Sequence, residues 1–265
     1  MKGSFKLNWI FAQFTQTKLI KQNFKTLKNP WSFYFGIIFK LFPVFDNKTY
    51  KLKFKDGMLI KVYDFMSFYI YSEIFIDKCY DVELDLKSPI IVDVGANTGY
   101  FALRMKQLYP ESKIICFEPY PPCVSQLKET ISINGLENVE IKELAVSDIA
   151  EKSKLYIHPT NIAGHSIFSE NVSENFVEIK SITLREVVKL IKHHKFCNLL
   201  KLDCEGAEYP IVKSINFELN KYFPKIIYEP TYDSYNIEEL NKSLVQKGYK
   251  VVPKQNLYLA TLAKE

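Results

Sequence analysis

Three short stretches of this chain gather carboxylates, glycines and a lysine where a ligand could be held. The first is Ile90-Ile-Val-Asp93-Val-Gly95-Ala-Asn97-Thr98-Gly99-Tyr100, an apolar run ending in Asp-x-Gly-x-x-x-Gly. Glycines there let a strand turn tightly into a helix and let the backbone approach a ligand in the crevice beyond the strand ends. The second is Ile114-Ile-Cys-Phe-Glu118-Pro119, which puts Glu118 nineteen positions after Gly99. An acid at the end of the next strand can accept both hydroxyls of a ribose. The third is Leu199-Leu-Lys201-Leu-Asp203-Cys-Glu205-Gly206-Ala-Glu208. Three carboxylates crowded at a strand end repel, so a raised pKa, a metal or Lys201 must offset them.

Each stretch also has a plainer reading. Gly-rich βα turns occur without ligands, strand-end acids are often merely solvated, and acids favour helix N-termini. That last reason covers Glu205 and Glu208 better than Asp203. A nicotinamide dinucleotide is disfavoured, because Gly95-Ala-Asn97-Thr-Gly99 lacks the middle glycine of G-x-G-x-x-G, which admits a pyrophosphate.

The elements that must position these residues follow from pattern. From residue 89 onward, apolar strands alternate with helices, the signature of an α/β fold with a mostly parallel sheet. Strands are expected at 90–94, 113–117, 139–144, 154–157, 177–182, 198–202 and 225–228, with closing strands at 249–252 and 257–261, one of them antiparallel. Helices are expected at 99–109, 121–133, 183–195 (opened by a Thr183/Glu186 capping box) and 237–247. Before residue 89, Leu7, Ile10, Phe11 and Phe14 sit at helical spacing over 5–24, and Asn29-Pro30 breaks that helix. Residues 50–62 alternate apolar and Lys around Asp56-Gly57, a hairpin signal, and a helical stretch follows at 66–78. The chain therefore divides into an N-terminal extension, 1–88, and an α/β domain, 89–265.

Composition narrows the class. With 265 residues, 47% hydrophobic and 25% charged, the chain suits one large folded domain with an appendage, not a disordered or repetitive polymer. Five Cys without C-x-x-C pairs support neither a disulfide framework nor a structural zinc site, which fits a reducing, cytoplasmic setting. No leader with a basic stub, apolar run and small-residue cleavage site is read. Residues 1–55 hold eleven Lys against Asp46 alone, and the remainder is acidic by five charges. Trp9, Phe11, Phe14 and Trp31 accompany those lysines, so residues 1–45 are a candidate peripheral membrane contact; packing on the fold or against a second copy would bury the same aromatics.

Taken together and in this order, Asp93-Val-Gly-Ala-Asn-Thr-Gly-Tyr-Phe, Phe117-Glu-Pro-Tyr-Pro, Ala145-Val-Ser-Asp148 and Leu199-Leu-Lys-Leu-Asp-Cys-Glu-Gly-Ala-Glu208 resemble the motifs of FkbM family methyltransferases, over roughly 89–230. The resemblance implies a Rossmann-like class I fold and S-adenosyl-L-methionine as methyl donor. It further implies O-methylation of sugars or other hydroxyl-bearing metabolites. It places Asp93, Gly95, Asn97 and Gly99 on the methionine and sulfonium side and Glu118 on the ribose. The third element falls on Leu144 to Asp148, where an acid often meets the adenine; here Leu144 and Ala145 stand instead, with Ser147 and Asp148 nearby. For the acceptor proton the first candidates are Asp203 and Glu205, with His165 in the loop 158–175 as the alternative, and Glu229 faces the same crevice. Asp203 also borders the cofactor. No metal set is assigned. A nucleic-acid methyltransferase using the basic N-terminus, or a non-catalytic membrane-associated binding module, are the competing readings.

Overall fold

The computed structural model describes residues 3–45, 48–157, 175–191, 196–231 and 235–263. The chain forms two compact units, Met1–Lys78 and Cys79–Glu265. The division falls ten residues before the expected 88/89 break. Residues 79–86 belong to the second unit because they are tied into it. Tyr109 Oη donates to Val82 O at 2.9 Å and accepts from Leu84 N at 2.8 Å, and Arg104 pairs with Asp81.

In the first unit, the expected single helix over 5–24 is two helices, α1 (Gly3–Thr15) and α2 (Thr17–Thr26), with Gln16 extended between them. Threonine favours such a break: the Thr15 hydroxyl bonds back to Phe11 O at 2.8 Å, and Thr17 is β-branched. Pro30 then opens α3 (Pro30–Phe39). Strands β1 (Tyr50–Lys53) and β2 (Leu59–Val62) pair antiparallel as the hairpin. Asn29 clamps α3 to β1, accepting from Lys53 N at 2.7 Å and donating to Lys51 O at 2.9 Å. Helix α4 (Phe65–Tyr71), capped by Asp64, runs into a π-helical turn, Ser72–Asp77. Phe33, Ile37, Leu52, Ile60, Phe68 and Tyr71 form its core.

The second unit is α/β. Strand β3 (Ile90–Val94) leads to helix α5 (Tyr100–Leu108), β4 (Lys113–Phe117), α6 (Pro121–Asn134) and β5 (Val139–Lys142). After an excursion come α7 (Leu184–Ile191), β9 (Leu199–Leu202), α8 (Glu208–Ser214), β10 (Lys225–Tyr228), α9 (Ile237–Gln246), β11 (Tyr249–Lys254) and β12 (Leu257–Leu262). The seven-stranded sheet has the order β11-β12-β10-β9-β3-β4-β5. Its strands are parallel except β12, which runs antiparallel to both neighbours. Val92, Val94, Leu200, Leu202 and Ile226 are wholly or almost wholly buried, as strands covered on both faces require.

The excursion is a second sheet that pattern alone did not separate. The strand expected over 139–144 stops at Lys142. Ala145–Ser147 (β6) leaves the main sheet and pairs with β8 (Phe176–Thr183), which also pairs with β7 (Lys152–Tyr156). The Thr183/Glu186 capping box forms, with Glu186 Oε2 accepting from Thr183 N at 2.8 Å.

Candidate active site

The chain leaves β3 to the side of β4 and returns at β9 on the other side of β3. This reversal of strand order opens a crevice at the carboxyl ends of the central strands. Register then chooses its occupants. In the parallel pairing of β3 with β9, Asp93 stands opposite Lys201 and Val94 opposite Leu202. Backbone bonds carry the lattice past the strand ends: Asp203 N donates to Val94 O, Gly95 N and Ala96 N to Phe117 O, and Glu229 N to Leu202 O.

At the centre Lys201, buried, lies 3.0 Å from Asp93 Oδ1 and 3.3 Å from Asp203 Oδ2. It donates to Gly95 O at 2.8 Å. The approach to Asp93 meets the distance but not the alignment of a hydrogen bond, so charge holds that pair. Burial pulls the ammonium pKa down, but Asp203 and Asp93 outweigh it and the pKa lies above its usual value. The Asp93 pKa is raised as well, but there burial dominates and outweighs the opposing pull of Lys201.

Gly95 is required by contact as well as by conformation. Its φ is +76°, and a Cβ there would sit 1.8 Å from Asp203 O. The glycine lets the turn after β3 press against the backbone after β9. Asn97, at φ +49°, continues the turn. Its Oδ1 is buried with no protein hydrogen-bond partner.

Glu118 ends β4 beside this turn, 7% exposed. Its two oxygens accept from Asn97 N at 2.8 Å and Tyr120 N at 2.9 Å. One bond to each oxygen leaves each a lone pair for a further donor. Burial pushes the carboxyl up to about 7, although both backbone donors favour the charged form. A buried acid with spare acceptor capacity, next to an unpartnered amide oxygen, fits a ligand that brings adjacent hydroxyls.

The acids after β9 have separate tasks. Glu208 Oε1 accepts from Cys204 N at 2.6 Å and Oε2 from Gly206 N at 2.9 Å, with Thr231 and Tyr235 hydroxyls also on Oε2. It is thereby a loop brace. Glu205, at φ +54° and half-buried, has its pKa raised to about 8 by burial and then by Asp203 and Glu208. Among the described residues, no three His, Cys, Asp or Glu side chains converge as a metal set.

Tyr80 was not singled out from sequence, because it lies well before the motifs. Its hydroxyl is 3.0 Å from Asp203 Oδ2 and 2.9 Å from Glu229 Oε2. Its ring meets Phe101 edge-on at 5.6 Å, and Lys201 Nζ lies over both rings at 5.5–5.7 Å. A single proton on Tyr80 can serve one carboxylate. The second can join only by carrying a proton itself or through water. The Tyr80 hydroxyl thus bridges Asp203 and Glu229 at the strand ends.

Of the other expected site residues, Gly99 precedes α5 with φ +83°. Ala145 is buried in β6, and Tyr120 packs on the cluster it belongs to. Ser147 donates to Asp148 at 3.0 Å. His165 and the loop around it lie outside the described residues.

Residues 93–251 match the family described as Methyltransferase FkbM domain. The chain belongs to the FkbM methyltransferase family. This FkbM chain is 31% identical over 216 residues to methyltransferase sdnD of Sordaria araneosa, covering 69% of this chain and 82% of that one. It is 27% identical over 201 residues to methyltransferase 1 of Beauveria bassiana, covering 69% and 81%. A shorter match, 33% over 78 residues, is to the 2-O-methyltransferase NoeI of Sinorhizobium fredii, covering 29% and 30%. The α/β sheet with its antiparallel member is the Rossmann-like fold that the sequence led us to expect, and the protein is a methyltransferase. No described helix is long and apolar enough to cross a membrane.

Proposed function

We propose that this FkbM methyltransferase uses S-adenosyl-L-methionine to methylate a hydroxyl oxygen of a sugar, glycan or related small metabolite. The observation that carries the reading is Glu118, buried beside the Gly95–Gly99 turn with one lone pair left on each oxygen. That is the acceptor set a nucleoside ribose needs. The unpartnered Asn97 Oδ1 offers a further acceptor in the same turn, suited to an ammonium or hydroxyl donor. The turn carries no arginine or lysine for a pyrophosphate, which agrees with a phosphate-free, cationic sulfonium link between adenosine and methionine. The match to a named 2-O-methyltransferase supports an oxygen acceptor.

When bound, S-adenosyl-L-methionine would supply a sulfonium-bound methyl group for in-line transfer to an acceptor oxygen, with the neutral thioether as leaving group. The residues of this chain bind, align and take a proton. Lys201 fixes Asp93 and Asp203 on either side of the turn, so the walls of the crevice do not move apart under charge repulsion. Asp203 takes the acceptor hydroxyl proton as the oxygen attacks and can hand it to Tyr80 Oη as that hydroxyl gives its own proton to Glu229, so Tyr80 stays neutral. Glu205 stays largely protonated at neutral pH and can donate a hydrogen bond to a second acceptor hydroxyl. His165 is the alternative proton acceptor.

The test is calorimetric titration with S-adenosyl-L-methionine and, separately, with NAD, of wild type and of Glu118→Ala. The reading expects saturable binding of the sulfonium compound alone, weakened at least tenfold in the variant, about 1.4 kcal/mol. Absence of binding to folded wild type, or equal binding by the variant, rejects it.

A further inference from the structure

Helix α3 is apolar on every side, but the first unit covers only one of them. Phe33, Tyr34 and Ile37 are buried, whereas Trp31, Phe35 and Ile38 project on the other face at helical spacing, 61%, 54% and 40% exposed. The surface extends beyond the helix: Phe42 is 53% exposed and Val44 80%. It extends to α2 as well, where the Phe24 ring meets Trp31 edge-on at 5.4 Å, and Trp31 lies 6.2 Å from Phe35. An exposed apolar ridge this continuous marks an interaction surface.

Charge says what covers it. In α2 Lys21 lies one turn before Phe24, Lys18 and Lys25 flank it along the helix, Lys28 follows, and all four are exposed. The first unit as a whole stays strongly basic, with thirteen Lys against five acids over residues 1–78, although one of those acids, Asp77, faces Lys18. Aromatic and aliphatic side chains beside a row of lysines match the interface of an anionic bilayer, where rings sit at headgroup depth and ammonium groups meet lipid phosphates. A nucleic acid would use the lysines and Trp31 but has no use for Ile38 and Val44. A second copy of the chain would bring the same row of lysines toward its own.

We infer that the α2–α3 face of the first unit is a peripheral docking surface for anionic membranes, with Trp31 and Phe35 entering the headgroup layer. The inference does not depend on the acceptor. Trp9 follows the packing alternative, since its ring lies against Phe65 and Tyr69 at 5.6 and 5.8 Å.

The test uses the full chain and vesicles of phosphatidylcholine alone or mixed about three to one with phosphatidylserine. Co-sedimentation with the mixed vesicles only is expected, weakening steeply as salt shortens the Debye length. In a Trp9→Phe background, Trp31 emission should shift to the blue on adding the mixed vesicles. Trp31→Ser/Phe35→Ser should lose at least about tenfold in binding. Lys21→Glu/Lys25→Glu, which leaves the aromatics intact, should lose about fivefold per lysine. No binding to either vesicle, equal binding to both, or binding untouched by either double variant overturns the inference. So does a concentration-dependent dimer that shifts Trp31 without vesicles, or oligonucleotide binding in place of vesicle binding.

Discussion

Lys201 Nζ stands 3.0 Å from Asp93 Oδ1, with both side chains shut away from solvent. The two residues are 108 positions apart in the chain and opposite one another in the register of β3 and β9. Their pairing lets a methyltransferase keep two carboxylates, the buried Asp93 and the partly exposed Asp203, close together at the end of its central strands.

Removing the ammonium should therefore cost more than the bond it makes. Lys201→Met is expected to lose about 3–5 kcal/mol, because it leaves a buried carboxylate without its counter-charge. Lys201→Met with Asp93→Asn should recover part of that loss. Urea denaturation of the single and double variants measures it, and a double variant as unstable as the sum of the singles would speak against the charge pairing.

Gly95 and Gly57 separate close approach from backbone conformation. Both have positive φ, but a Cβ on Gly95 meets Asp203 O at 1.8 Å and one on Gly57 meets nothing within 4 Å. Gly57→Ala should cost about 1 kcal/mol, the ordinary penalty of a left-handed residue. Gly95→Ala should cost upwards of about 4 kcal/mol or prevent folding. Thermal melts decide, with similar losses for the two counting against the close-approach argument.

The unliganded protein should lose stability as pH rises. Burial raises Glu118 from 4.5 to about 7 and Glu205 to about 8, so the folded state holds these protons more tightly than the unfolded chain. The cost is absent below the unfolded value, grows as pH climbs toward the folded one and is constant above it. Glu118→Gln should match wild type near pH 4.5 and exceed it above pH 7 by on the order of 3 kcal/mol. Glu205→Gln should remove the part of the decline that reaches pH 8. Stability profiles over pH 4.5–9 check both; a wild type gaining stability over that range contradicts them.

Tyr80→Phe keeps the ring against Phe101 and deletes only the hydroxyl between Asp203 and Glu229. Turnover should fall about 100-fold, the lower end of what a positioned proton carrier contributes. Donor affinity and melting temperature should stay near wild type. Full activity in this variant would reduce Tyr80 to packing, and loss of donor binding would place it on the wrong side of the crevice.

Cofactor occupancy should itself be pH-linked. Hydroxyls that donate to Glu118 favour its charged form, so donor affinity should rise with pH up to about 7 and then level off. Calorimetry in buffers of different ionisation enthalpy reads the proton released on binding, and affinity independent of pH would count against hydroxyl contact at Glu118.

Much of the second unit could be read from the chain because its signals are local. Apolar runs at 90–94, 113–117, 199–202 and 225–228 bury both faces, Pro and Gly punctuate them, and each became a strand. The same locality put Asp93, Gly95, Asn97, Gly99 and Glu118 at successive strand ends. Local signals failed where two structures share one pattern. A periodicity continuous over 5–24 cannot reveal that Gln16 is extended, and a strand signal over 139–144 does not say that the sheet is left after Lys142 and that the next residues, Ala145–Ser147, pair with β8 in another sheet. Tertiary structure alone decided the chemistry of the acids. Sequence crowded Asp203, Glu205 and Glu208 together, yet packing made Glu208 a brace on two backbone amides and paired Asp203 with Lys201. It also brought Tyr80 across 123 positions of chain to join Asp203 and Glu229. Spacing along a strand fixes which way a side chain points; which groups it meets depends on the neighbouring strand's register and on segments that return from far away in the chain.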